Sequence, residues 1–393
     1  MRRLTLLSLC ALAVCGQSRL VVRTSTLHDG LGGVDSNREI VIEGGRIAAV
    51  RQAGGGPVSH DLKGLTVMPG WIDTHVHLTW HFDDRGRLAD NEHESPEVTL
   101  LHAKKNAKVM LEAGFTTVQS LGDPLDLKLR GQGDLPRILT SAGSLDERSG
   151  TPERIRERVR QFKAAGADVI KIFATASIRD GGRQTMTDEQ VAAACGEARA
   201  QGLRAVVHAH APGGAMAAVK AGCTTIEHGA LLDASTLAAI AKAGLLFDPN
   251  ILVFHNYLDN KEKYLGIGNY TEAGFASMVK ALTLQRELMQ MALAAEVKII
   301  FGTDAVAGAH GRNAEEFIYR VRDAGQPAMD ALVAAQSRAA ESLGLGDRIG
   351  RIAPGFEADL IALDGDPLRD ITTVRRVVFV MRGGRILRSD YKR

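Results

Sequence analysis

A (β/α)8 TIM barrel, class α/β, carrying a small composite β-sandwich domain formed by both termini, is the fold that three observations predict. Glycine-punctuated apolar runs occupy both ends of the chain, and a long middle alternates strand-like runs with amphipathic helices. The polar residues of that middle gather at the ends of many different strands, which favours a barrel over a doubly wound open sheet. No repeat of fixed period runs through the sequence, so a solenoid is not expected.

The chain opens on a different material. Arg2 and Arg3 precede an apolar run from Leu4 to Val14, which breaks at Cys15-Gly16-Gln17-Ser18. That pattern predicts a signal peptide over residues 1–18, too short to span a bilayer. Leu12-Ala13-Val14-Cys15 resembles a bacterial lipoprotein box in which Cys15 takes the lipid, although Val14 stands where that family has a small residue. The expected destination is therefore outside the cytoplasm, periplasmic or lipid-anchored in a bacterium.

After the leader, RLVVRTSTL, REIVIEGGRIAAV and GLTVMPG read as strands and hairpins, with a turn at Gly44-Gly45. The C-terminal stretch repeats that texture and turns at Gly383-Gly384. Residues 19–67 and 346–393 are thus assigned to the sandwich, and 68–345 to the barrel. Within the barrel, strand-like runs end at THVHL (74–78), FTTVQSLGD (115–123), RILTSAGS (137–144), VIKIFATAS (169–177), RAVVHAHAP (204–212), TTIEHGA (224–230), LLFDPNIL (245–252) and VKIIFGTDA (297–305). Helical patterns such as TPERIRERVRQFKAAG and DASTLAAIAKAG separate them, each closed by glycine. The methionines and leucines between Met278 and Leu293 recur at helical spacing and are expected in the core.

Composition narrows the function. Forty-eight basic residues against forty-six acidic ones give a net charge of +2, which leaves no field for nucleic acid or anionic lipid. No segment beyond the leader approaches a membrane span. Of the four cysteines, Cys10 and Cys15 fall in the leader. Cys195 and Cys223 lack metal spacing; two thiols in an exported protein could pair, but nothing suggests a disulfide framework, and two separate buried thiols are expected.

The chemistry lies with histidine. His75, His77, His208, His210 and His228 all fall at predicted strand C-termini, where barrel enzymes build their sites. The strand period of two puts His75 and His77 on one face, able to grip one ion together. Lys171 sits in the apolar run Val169–Phe173, where an unpaired ammonium is costly. It is either salt-bridged, or neutral with a lowered pKa, or converted by carbon dioxide to a carbamate that bridges two metals. Asp304, in Phe301-Gly302-Thr303-Asp304-Ala305, can bind a metal and move a proton, or simply cap a helix.

These runs together resemble the amidohydrolase superfamily, in its imidazolonepropionase-related branch of metal-dependent Xaa-Pro and Xaa-Lys/Arg dipeptidases (prolidase-like). MPGWIDTHVHL, VIKIFATAS, VVHAHAP, TTIEHGA, FGTDA with HGRNAEE after it, and APGFEADLIALDGDPLRDI stand in family order across nearly the whole mature chain. The resemblance implies two divalent ions, zinc being expected. One is held by His75, His77 and Asp304, the other by His208 and His228, with Lys171 bridging as carbamate. Assigning His208 rather than His210 follows the family's spacing to the EHG histidine. His210 is then expected to contact the substrate carbonyl or carboxylate, and Asp304 to act as general base and then acid. Other expected substrate contacts are Arg179, His255, Tyr257 and His310, with His81 and Arg183 as further rim candidates. The relatives' glycine- and histidine-containing loop after the third strand is short here. The implied enzyme is an exported binuclear amidohydrolase that uses metal-bound hydroxide to release a C-terminal amino acid from dipeptides or N-acyl amino acids. Hydrolysis of a cyclic amide or lactone, as by imidazolonepropionase, is the alternative, and an inactive binding protein a remote one. A homo-oligomer is the default expectation.

Overall fold

The structure, a computed structural model, describes residues 19–90 and 93–391; the expected leader lies outside them. The N-terminal strands are β1 (Leu20–His28), β2 (Val34–Glu43), β3 (Arg46–Gln52) and β4 (His60–Pro69). The middle contributes β5 (Trp71–Val76), β6 (Phe115–Ser120), β7 (Arg137–Thr140), β8 (Ser144–Leu145), β9 (Val169–Phe173), β10 (Arg204–Ala209), β11 (Thr225–His228), β12 (Leu246–Asp248) and β13 (Lys298–Ile299). The chain closes with β14 (Leu360–Leu363), β15 (Val377–Arg382) and β16 (Arg385–Ser389).

Both termini share one seven-stranded sheet in the order β16-β15-β14-β4-β1-β2-β3. Alternating apolar residues on its strands close over a core that includes Val22, Ile40, Leu62, Leu360 and Phe379. The sheet curls so that its two glycine turns meet. The Ala358 amide donates to the Gly45 carbonyl at 2.9 Å, and the Gly384 amide to the Ala358 carbonyl at 3.0 Å. A Cβ on Gly384 would stand 2.9 Å from the Gly45 Cα, so this approach requires glycine.

The middle builds two parallel sheets, β5-β6-β7 and β8 through β13 in chain order, with helices outside. Hydrogen bonds join them into a barrel-like body. On one side the Thr74 amide donates to the Phe301 carbonyl and the His77 amide to the Ala305 carbonyl, each at 2.9 Å. On the other, the Asp168 amide reaches the Thr140 carbonyl at 2.8 Å. The run 137–145 breaks into β7 and β8 where Ala142 adopts φ of 53°. The helices start where side-chain caps allow: Thr151 caps 152–165, Thr187 forms a capping box with Gln190, and Asp233 caps 234–242. Leu288 and Met289 are buried between helices and sheet, as their spacing predicts.

One expectation is corrected. Cys195 and Cys223 form a disulfide with a Cα–Cα distance of 5.2 Å. Gly222 ends helix 212–221 in a left-handed conformation and turns Cys223 toward the buried face of helix 188–200, which carries Cys195. A separation of 28 residues, across two unrelated motifs, hid the pairing. Among the described residues no helix is long and apolar enough to cross a membrane.

Candidate metal centre

Strand ends deliver the site. His75 is the penultimate residue of β5 with His77 just beyond the strand; Lys171 stands on β9, His208 on β10, Glu227 and His228 on β11, and Asp304 follows β13. The two histidines of the HxH pair converge on one oxygen: Asp304 Oδ1 lies 3.0 Å from His77 Nε2 and 3.4 Å from His75 Nε2. Lys171 Nζ is 3.0 Å from His75 Nε2. Donor atoms of His75, His228 and Asp304 all fall within 4.8 Å of one another, a spacing one ion could bridge. The rings of His208 and His210 stand 4.6 and 5.1 Å from that of His228 and complete the cluster. His228 and Asp304 both adopt left-handed backbone, φ 67° and 49°, which costs on the order of 1–3 kcal/mol for each such residue.

A ring of buried polar groups holds this geometry. Glu227 Oε2 lies 2.7 Å from His75 Nδ1. A charged lysine has only donors, so Lys171 makes His75 Nε2 the acceptor and leaves Nδ1–H to donate to Glu227. Asp73 accepts from the Thr303 amide and hydroxyl and from Asn313 Nδ2, fixing the backbone beside Asp304. Asp248 accepts from the Thr74 hydroxyl, the Gly302 amide and Arg320, and Arg320 also pairs with Glu316. Gly302 permits this closeness, since a Cβ there would lie 2.8 Å from that of His75 and run into Asp248. Sequence reasoning missed Asp73, Glu227, Asp248, Glu316 and Arg320. Asp73, Glu227 and Asp248 carry the signal that marked Lys171, charge in a buried strand, whereas Glu316 and Arg320 lie in a charged, half-exposed helical run that offers no such signal.

Electrostatics favour cations. Burial pushes the Asp73, Glu227 and Asp248 carboxyls up to about 8. Burial also lowers the Lys171 amine and lowers His75, His208 and His228 well below the usual imidazole range. His210 is held down to about 3 by burial, then by Arg179 and Lys171. At neutral pH the imidazoles are uncharged, the form that binds metal. Burial would raise Asp304, but His75 and His77 with Lys171 hold it below its ordinary value. Asp73, Glu227, Asp248, Asp304 and Glu316 outnumber the buried cations Lys171 and Arg320 here, and the three raised to about 8 would ionise fully only as a cation enters. The donor set and this surplus of carboxyls fit divalent ions.

The cluster floors a cavity of about 140 Å³, which His210, Tyr257 and Arg179 also line. Two expected contacts lie elsewhere. His255 stacks on Tyr319 with ring centroids 3.7 Å apart, because two residues along helix 252–259 separate its side from that of Tyr257. His310 turns Nε2 to the His77 carbonyl at 3.1 Å and braces the strand end from behind. His81 faces Glu94 and stacks on His102, and Arg183 is exposed. Trp80 and Met278, in contrast, line the cavity without having been anticipated there. A wider cavity of about 530 Å³ adjoins, sharing His77, Trp80 and Phe173, and the short third-strand loop lends it Ser144.

The model of the amidohydrolase family matches residues 66–387. The chain belongs to the amidohydrolase family. That family generally uses divalent metals, which the donor set described above suits. This amidohydrolase is similar to a solved Xaa-Pro dipeptidase with methionine bound in the active site, at 28% identity and a TM-score of 0.86, over 95% of this chain and 100% of that one. A prolidase complexed with N-methylphosphonate-L-proline gives 25% identity and a TM-score of 0.85 over the same shares. Ochratoxinase from Aspergillus niger is 29% identical over 245 residues, 60% of this chain, which spans about half of that relative's length.

Proposed function

We propose that this amidohydrolase is an exported binuclear enzyme that hydrolyses the amide bond of dipeptides or N-acyl amino acids and releases the C-terminal amino acid. The observation that carries the reading is the convergence of His75, His77, His208, His228, Lys171 and Asp304 at the floor of one cavity. His75, His77 and Asp304 would hold one ion and His208 and His228 the other. The Lys171 amine, lowered by burial, would add as its free base to carbon dioxide with loss of one proton, and the resulting carbamate would serve as a further ligand to the ions. Divalent ions, zinc being expected, would supply Lewis-acid polarisation of the carbonyl and a water acidic enough to react near neutral pH.

The chain's own residues do the rest. Asp304 takes a proton from the attacking water and returns it to the amide nitrogen as the C–N bond breaks. Hydroxyl ends on the acyl carbon and hydrogen on the amine. His210, neutral and facing the cavity, contacts the substrate carbonyl, and Trp80 and Phe173 shield the reacting group from bulk water. The similarity to a Xaa-Pro dipeptidase and a prolidase supports the dipeptide class. The Cys195–Cys223 disulfide supports an oxidising compartment, periplasmic or lipid-anchored through Cys15. A homo-oligomer completes the proposal.

The test is amine release from a library of dipeptides and N-acyl amino acids, with mature protein loaded with zinc and bicarbonate. Hits sharing one C-terminal residue are expected. Silence across the library with two bound ions would contradict the dipeptide class and favour cyclic amides or lactones.

A further inference from the structure

Arg179 occupies an unusual position on the cavity wall. It lies in the short turn 178–180 after β9, packed against helix 272–283, where a Cβ on Gly274 would stand 3.2 Å from its own. Its guanidinium carbon lies 4.1 Å from the Tyr270 ring centroid and 5.3 Å from that of Tyr257. Nε donates to Asn269 Oδ1 at 2.9 Å, and Asn269 in turn donates to Asp180 at 2.6 Å. Among the described residues no carboxylate forms an ion pair with this guanidinium; Asp180 reaches it only through Asn269.

An arginine partly withdrawn from water with no directly paired carboxylate is costly, and two tyrosine faces, a hydrogen bond with Tyr257 and the more distant charge of Asp304 offset that cost. The scaffold fixes Nε and leaves the forked Nη1 and Nη2 groups unpaired by acid, the geometry that matches a carboxylate. Around it the wall is apolar: Ile178, Val253, Phe254, Met278 and Val306. At about 140 Å³ the cavity is close in size to an apolar cavity of roughly 150 Å³ that admits benzene, so it suits a leucine-, methionine- or phenylalanine-sized side chain. The adjoining cavity is several times larger and meets it at His77, Trp80 and Phe173.

We infer that Arg179 is a carboxylate anchor that selects, as leaving group, an amino acid with an apolar side chain and a free α-carboxylate, while a bulky acyl group occupies the wider cavity. The inference rests on the amide-hydrolase reading above and names its substrate class.

Calorimetric binding of L-methionine and L-methioninamide to the metal-loaded full chain tests it without requiring turnover. The acid is expected to bind about tenfold or more tighter than the amide, the scale of a hydrogen bond to a charged group. Arg179→Met should remove that difference by weakening the acid alone, and Arg179→Lys should restore part of it. Equal affinities in the parent protein would overturn the anchor even if no variant folds. Undiminished discrimination in Arg179→Met would overturn it too, since the carboxylate would then sit on the metals. A protein that discriminates yet hydrolyses no library member keeps the anchor and loses the dipeptide and N-acyl amino acid reading, so the two failures are separable.

Discussion

The barrel mouth and the sheet built by the two termini handle charge and strain in opposite ways. In the sheet the core is apolar, and the buried Glu39 is neutralised directly by Arg23 at 2.9 Å and Arg51 at 3.0 Å. Left-handed backbone there falls to glycines and to Asn37, residue types that accept it cheaply. At the mouth Asp304, which tolerates that conformation as Asn37 does, is joined by the bulkier His228, carboxyls are packed behind imidazoles, and the Lys171 side chain is 1% exposed. One region adds stability; the other holds strained, partly uncompensated groups that a ligand would complete. Substitutions at the mouth should therefore cost function with little loss of stability, and substitutions in the framework the reverse.

The largest expected effect is that of Asp304→Asn. Turnover should fall by about 10²–10⁴-fold, the scale of a lost general base, with metal still bound and thermal unfolding unchanged. Retained activity in steady-state assays would remove Asp304 as the proton carrier. Next comes Glu227→Gln, which takes the carboxylate from His75 Nδ1. Metal affinity or activity should drop by roughly 10–100-fold, as chelator competition would show. Breaking the framework instead, Cys195→Ala should cost about 2–4 kcal/mol in denaturant unfolding under oxidising conditions while kcat stays near the parent value. An equal loss of activity would show that the mouth is not insulated from the barrel's own outer helices, where this disulfide lies.

The smallest effect belongs to Glu39. Hydrogen bonding from Arg23, then Arg51 and the Gly54 amide, lowers its carboxyl below the ordinary 4.5 despite burial. A depressed folded-state value gives stability that is fully present above pH 4.5 and lost as pH falls through the lowered value. The parent's advantage in melting temperature over Glu39→Gln should therefore hold at neutral pH and shrink below 4.5. An advantage independent of pH would show that charge plays no part.

What was legible in the sequence divides along the same line. The HxH pair could be read because a strand places alternate residues on one face, and Lys171 because an ammonium in an apolar run needs a reason. Glu227 carried that same reason one residue before His228 and was overlooked. Which way a residue points after a strand end depends on where the next helix begins. That choice at Leu252 turned Tyr257 inward and His255 outward. Met278 reaches the cavity from a helix whose spacing predicted only core, and it serves both, buried on one side and lining on the other. The disulfide joins two segments that no local pattern links.

The most direct test of the central claim is the metal content of purified parent protein beside Lys171→Ala, both reconstituted with zinc and bicarbonate and counted by elemental analysis. The account predicts about two ions per parent chain and clearly fewer in the variant, in line with a bridging ligand. Identical stoichiometry in the two proteins would contradict the bridging carbamate, and a parent chain that binds no metal would contradict the site itself.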